Sequence, residues 1–168
     1  MPIFKEEALA ADDWRYLTQG EELPPSGRVI VTRAQWQEIS AQSQKDGPPL
    51  GLLIEPGQDL TSIAPQLAQF ALVVVGFPKF TDGRGYSIAR QLRGHYGYRG
   101  ELRASGDILF DQLQLLARCG FDSFEIKDAT TLRLLESGRR PRLEVFYQPA
   151  LGPEVREKTR PWARRTPC

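Results

Sequence analysis

"ALVVVGFPKFTDGRGYSIARQLRG", residues 71–94, decides how the rest of the chain is read. Its first five residues are apolar on every side, as a central strand of a parallel sheet requires. Gly76, Pro78 and Gly83 then break the run, in a loop that also carries Lys79, Asp82 and Arg84. Beyond it, Ile88, Ala89 and Leu92 recur at helical spacing, with Arg90 and Arg93 on the opposite side. The stretch therefore predicts one strand, one loop and one helix. Gly83 and Gly85 can serve simply to turn the chain into the helix. The same loop can equally be a site.

The unit recurs in both directions. Short apolar runs predict strands near 28–32, 50–55, 71–76, 100–104 and 123–127. Helical patterns follow them over 33–45, 59–70, 85–97, 107–120 and 128–138. Leu109, Leu113 and Leu116 give the 107–120 segment its apolar stripe, and Gly120 and Gly138 supply stops. Alternation of this kind predicts an α/β fold, a mostly parallel five-stranded sheet of receiver or flavodoxin type with helices on both faces. A partial β/α barrel is the alternative. The open sheet is preferred because five units cannot close an eight-stranded barrel. Residues 1–27 read as a polar N-terminal arm, 28–150 as a single α/β domain and 151–168 as a charged tail.

Bulk properties narrow the function classes. A chain of 168 residues suits one domain, and it is 40% hydrophobic and 26% charged, which is ordinary for a globular protein. The net charge of +1 predicts no nucleic-acid partner. No apolar run is long enough for a membrane span, and the acidic start lacks a signal-peptide core, so the expected location is cytoplasmic. Cys119 and Cys168 form neither a disulfide framework nor a metal spacing, and with His95 the single histidine, no zinc cluster is expected within one chain. Cys119 reads as buried and His95 as a surface residue. The sequence shows no dinucleotide fingerprint, iron–sulfur cysteine set or flavin motif, so no cofactor is expected.

Ligands of parallel α/β sheets bind at the strand C-terminal ends. The loops there bring Arg33, Glu55, Lys79, Asp82, Arg84, Arg103, Asp107 and Lys127 to one mouth. Its expected core is Asp82, Arg84, Arg103 and Asp107, with Lys79 at the rim, forming one charged pocket for a small oxyanion or carboxylate. Asp107 also fits a helix N-cap, and the two arginines and two acids can simply neutralise one another. No residue is assigned a catalytic role.

Two resemblances add to this. Residues 71–93 resemble the third strand, loop and helix of a response-regulator receiver domain, with "DG" at Asp82-Gly83, "LR" at Leu92-Arg93 and Lys127 in place of the fifth-strand lysine. The phospho-accepting aspartate would fall at Gly76, and the first strand, "RVIVTR", lacks the acidic pair that holds magnesium. The resemblance thus implies an open sheet and argues against phosphoryl transfer.

The second resemblance covers roughly residues 12–150. "GRVIVTRAQWQ" (27–37), "FTDGRGYSIARQLRGHYGYRGELRASGDILFDQLQLLARCGFDSFE" (80–125) and "FYQPA" (146–150) are similar to the bacterial domain-of-unknown-function family 934. That resemblance implies a role in assimilatory sulfite reduction, beside the sirohaem sulfite reductase as partner. Members are often labelled oxidoreductases. The reading that follows is an accessory protein without a redox cofactor of its own. Its alternatives are a small enzyme acting on an anionic substrate and a receiver-like adaptor. The tail after Ala150 departs from the family pattern.

Overall fold

A computed structural model describes residues 2–41 and 47–141. The charged tail, the apolar run after Arg142 and the end of the 33–45 helical pattern lie outside the described residues. Eight strands form one sheet: β1 (Pro2–Lys5), β2 (Ala8–Ala11), β3 (Trp14–Tyr16), β4 (Arg28–Thr32), β5 (Leu50–Ile54), β6 (Leu72–Phe77), β7 (Glu101–Gly106) and β8 (Ser123–Ile126). The helices are α1 (Arg33–Ala41), α2 (Arg84–Arg90), α3 (Gln112–Arg118) and α4 (Ala129–Glu136). A 3₁₀ turn, Ala64–Gln69, opens on the Pro65 that the sequence places there, and α2 runs on into a π turn, Gln91–His95.

The spatial order is β2-β1-β8-β7-β6-β5-β4-β3. Strands β3 to β8 are parallel and sequential, and β1 joins antiparallel to both β8 and β2. This corrects the expected five-stranded open sheet with helices on both faces. Right-handed crossovers between parallel neighbours in unbroken order all fall on the same side. A doubly wound sheet needs a reversal of order, and β4 to β8 have none. The side chains agree. Trp36, Leu67, Ile88, Leu92, Leu113, Leu116 and Leu135 from the helical segments share one cluster with Val29, Val31, Leu52, Val73, Val75, Leu102 and Phe124 from alternate strand positions. The other strand face packs separately, as Trp14, Ile30, Leu72 and Val74.

The helix-free face is concave. Strands β2 and β3 stand at opposite edges, which in a flat sheet would lie about 34 Å apart at ~4.8 Å per strand. Only Asp12 and Asp13 separate them in the chain, a span of at most ~11 Å. The sheet therefore rolls into a half-barrel, the arrangement left open above as the alternative. Residues 2–16, read as part of a polar arm, supply three of its strands. The five later strands lie within two residues of their expected positions, because short apolar runs bounded by turn residues are local signals, strongest in the β-branched β4 and β6.

The β1–β2 hairpin turns on Glu6 and Glu7, both left-handed, with φ of 51° and 61°. Two-residue turns of this hand favour Asn-Gly, since side chains beyond Cβ gain nothing there. Glu6→Asn with Glu7→Gly is expected to raise stability by about 1 kcal/mol, read as a shift in the urea midpoint at constant slope.

Candidate functional site

The polar residues of the concave face come from strand alternation. In β7, Leu102 and Ala104 face the helices, so Glu101, Arg103 and Ser105 face inward. In β8, Phe124 and Ile126 face the helices, leaving Ser123 and Glu125 inside. Register aligns Arg103 with Ser123 and Ser105 with Glu125. The β3–β6 half of the interior is instead apolar, with Trp14 seated against Gly51, where an added Cβ would lie 3.2 Å from the indole.

Toward the strand N-terminal ends the polar half is an ion-paired network. Arg103 Nη1 donates to both Asp12 oxygens at 2.9 and 3.0 Å, and its Nη2 to Glu101 Oε1 at 3.1 Å. Lys5 Nζ donates to Glu101 Oε2 at 2.8 Å, and Ser123 to Glu101 Oε1 at 2.7 Å. Burial pushes the Glu101 carboxyl up, but Lys5, Ser123 and Arg103 outweigh it and hold the group below the ordinary value. Asp12 also accepts from the Trp14 backbone N–H at 3.2 Å, which sets the bend between β2 and β3. In α/β barrels this end of the strands serves stability.

Toward the C-terminal ends lies a second group. Tyr16 Oη sits 2.8 Å from Glu125 Oε2 and 3.4 Å from Ser105 Oγ. A phenol has one proton, so Tyr16 donates to the carboxylate and the serine hydroxyl donates to Tyr16. Burial pushes the Tyr16 phenol up; the Ser105 hydroxyl pulls it back, and the Glu125 carboxylate raises it again. The net direction is well above the ordinary value, so the phenol is protonated at neutral pH. Lys127 Nζ stands 3.6 Å from Glu125 Oε1. Ser105 and Glu125 are buried, whereas Tyr16 and Lys127 are about two-fifths exposed. Gly76, aligned with Ser105 in the ladder, brings no side chain to this end: an added Cβ would be in ordinary contact with Ile54 O at 3.7 Å and Pro56 Cδ at 3.9 Å. The arrangement can accept a proton at Glu125, donate from Lys127 and orient a bound group through Tyr16.

The residues expected to form one pocket are divided. Asp82 and Arg84 pair with each other, Nε to Oδ1 at 2.9 Å and Nη2 to Oδ2 at 2.6 Å, and the guanidinium holds the Asp82 carboxyl down at about 2. Asp107 accepts from the Phe80 N–H at 3.0 Å, so the two loops do lie side by side. Asp107 precedes α3 by five positions and does not cap it. Lys79 is exposed, and its carbonyl accepts from the Asp82 N–H at 3.0 Å. Arg103 is not with them. It points into the concave interior to Asp12, because alternation along β7 puts position 103 on the helix-free face, whereas Asp82 and Arg84 stand at the entry to α2. Gly85 answers the question of the loop glycines: a Cβ there would sit 2.4 Å from Phe77 Cζ, so α2 starts in direct contact with β6.

Tyr16, Ser105 and Glu125 escaped the sequence reading, although Lys127 did not. A signal existed. Central strands of a doubly covered sheet are apolar throughout, yet "ELRASG" and "SFEI" alternate polar with apolar residues. That alternation marks a sheet with one polar face.

Among the described residues no helix is long and apolar enough to cross a membrane. No curated protein and no solved structure matches this chain. A family described as bacterial protein of unknown function (DUF934) matches residues 51–156, well over half of the chain, and the chain belongs to that family.

Proposed function

We propose that this protein is a cytoplasmic accessory factor of assimilatory sulfite reduction, acting with the sirohaem sulfite reductase. Family membership is the observation that carries the reading, through the pathway that the family resemblance implies. The block that carries the resemblance, residues 80–125, also supplies Glu101, Arg103, Ser105, Ser123 and Glu125, the polar side of the concave face. The working end is the mouth with Tyr16, Ser105, Glu125 and Lys127, where α/β barrels place their ligands.

A deletion strain is expected to fail on sulfate or sulfite as sole sulfur source and to grow normally on cysteine. Complementation with Tyr16→Phe or Glu125→Gln should restore growth poorly while the purified variants unfold cooperatively, as the parent does. Normal growth of the deletion strain on sulfate removes the pathway from the proposal. A second reading, a small enzyme acting on an anionic substrate in the same pathway, is favoured by the phenol, carboxylate and ammonium meeting at one mouth. Sulfite consumption by the purified chain with a supplied electron donor would select it.

A further inference from the structure

We infer that the mouth binds a small molecule carrying a carboxylate with a hydrogen-bond donor on the adjacent carbon, an α-amino or α-hydroxy acid. The inference deepens the proposal above in taking the mouth as the working site. Its experiment reads binding and not growth, so the two can fail separately.

Glu125 is the buried acid at the C-terminal end of the concave face. Its side chain is 3% exposed, and a buried carboxylate has about four lone-pair positions to satisfy. Oε2 takes the Tyr16 proton. Oε1 faces Lys127, and at 3.6 Å the ammonium lies beyond hydrogen-bond length. Among the described residues these two are its polar partners. Oε1 is thus paired with Lys127 by charge and keeps its lone pairs for a hydrogen bond. Lys127 is 44% exposed and carries three donors, none spent on a hydrogen bond to Glu125. The mouth therefore presents an acceptor and a cation side by side.

That pair is complementary to one chemistry. A plain anion would satisfy Lys127 but would stand against the Glu125 carboxylate. A plain amine would satisfy Glu125 but would stand against the Lys127 ammonium. A ligand with a donor next to a carboxylate satisfies both and adds no net charge clash. Ser105 Oγ, whose proton goes to Tyr16, keeps lone pairs for a second donor of the ligand. Gly76, beside Ser105 in the ladder, puts no side chain of its own between the ligand and the serine. Tyr16 holds the Glu125 side chain in place by the 2.8 Å bond, which makes it a positioning residue.

The test is thermal unfolding of the full chain at matched ionic strength with four probes: glycine, glycolate, acetate and methylammonium. Glycine is expected to raise Tm by about 4 °C at tenfold excess over Kd, and glycolate by less. Acetate and methylammonium should leave it unchanged. Glu125→Gln and Lys127→Met should each weaken glycine binding at least tenfold by calorimetry. Lys127 is exposed, so its variant keeps the test sound even if Glu125→Gln folds poorly. Acetate or methylammonium matching glycine would overturn the proposal, and so would no response to glycine and glycolate together. Unchanged glycine binding by Lys127→Met would overturn it as well.

Discussion

Arg103→Met is expected to lower the unfolding free energy by about 3–5 kcal/mol, the largest loss for any single polar residue among those described. Arg103 is 3% exposed as a residue, and the Asp12 side chain that it holds is 7% exposed. Methionine keeps the length and apolar bulk of arginine and removes the charge. Glu101 would still have Lys5 and Ser123. Asp12 would lose both bonds from the guanidinium and remain buried as an unpaired charge. Asp12→Asn alone should cost less, because Arg103 keeps Glu101. The double variant should be less destabilised than the sum of the singles, since the second change removes the stranded charge. Urea denaturation of all four proteins gives the cycle. A loss below about 1 kcal/mol for Arg103→Met would mean that water reaches Asp12 in solution.

Acid dependence follows from the same network. The folded pKa of Glu101 lies below its ordinary value of 4.5. Its contribution is thus fully present above about pH 4.5, and is lost as pH falls through the lower folded value. Arg103→Met removes one of the groups that lower it, so part of this acid dependence should vanish. Stability curves of parent and variant between about pH 3 and 6 should converge toward the acid end.

Gly106→Ala is expected to cost about 3 kcal/mol or more and to disorder the loop at the mouth. Gly106 has φ of +123°, a region that residues with Cβ rarely enter. An alanine Cβ would also fall 2.2 Å from Phe77 O and 2.9 Å from Phe77 C, which is backbone of the neighbouring strand and cannot rotate away. Relief requires β6 and β7 to separate where Asp107 N donates to Phe77 O at 2.8 Å. Asp107 would move with it and release the Phe80 N–H. Gly20→Ala is the control. Its φ is +78°, but nothing lies within 4 Å of the added Cβ, so about 1 kcal/mol is expected. Equal losses for the two variants would show that backbone strain alone, and not the contact with Phe77, sets the cost.

Local patterns in the sequence determined a large part of this protein. The apolar runs at 28–32, 50–54 and 72–76 became strands, and Leu113 and Leu116 became the buried face of α3, because both depend on residues close in the chain. The alternation of strand and helix determined an α/β protein. Cys119 is buried, as its place on an apolar helix face implies.

Strand order, curvature and the site were decided only in three dimensions. The same units can be wound on one face of a sheet or on two, and the choice rests on which strands become neighbours, not on any local run of residues. Residues 2–16 show how this works. "PIFK", "ALAA" and "WRY" carry little strand signal alone, and become strands through pairing with β8 and β4 and through the Asp12 bond to Arg103, 91 positions away. Asp12 and Tyr16 precede the first expected strand, whereas Arg103, Ser105 and Glu125 lie at the far end of the parallel series. No spacing in a linear chain relates them. Rolling the sheet brings Tyr16 to Glu125, 109 positions on, because a side chain that points into a concave face can reach strands its own strand never pairs with.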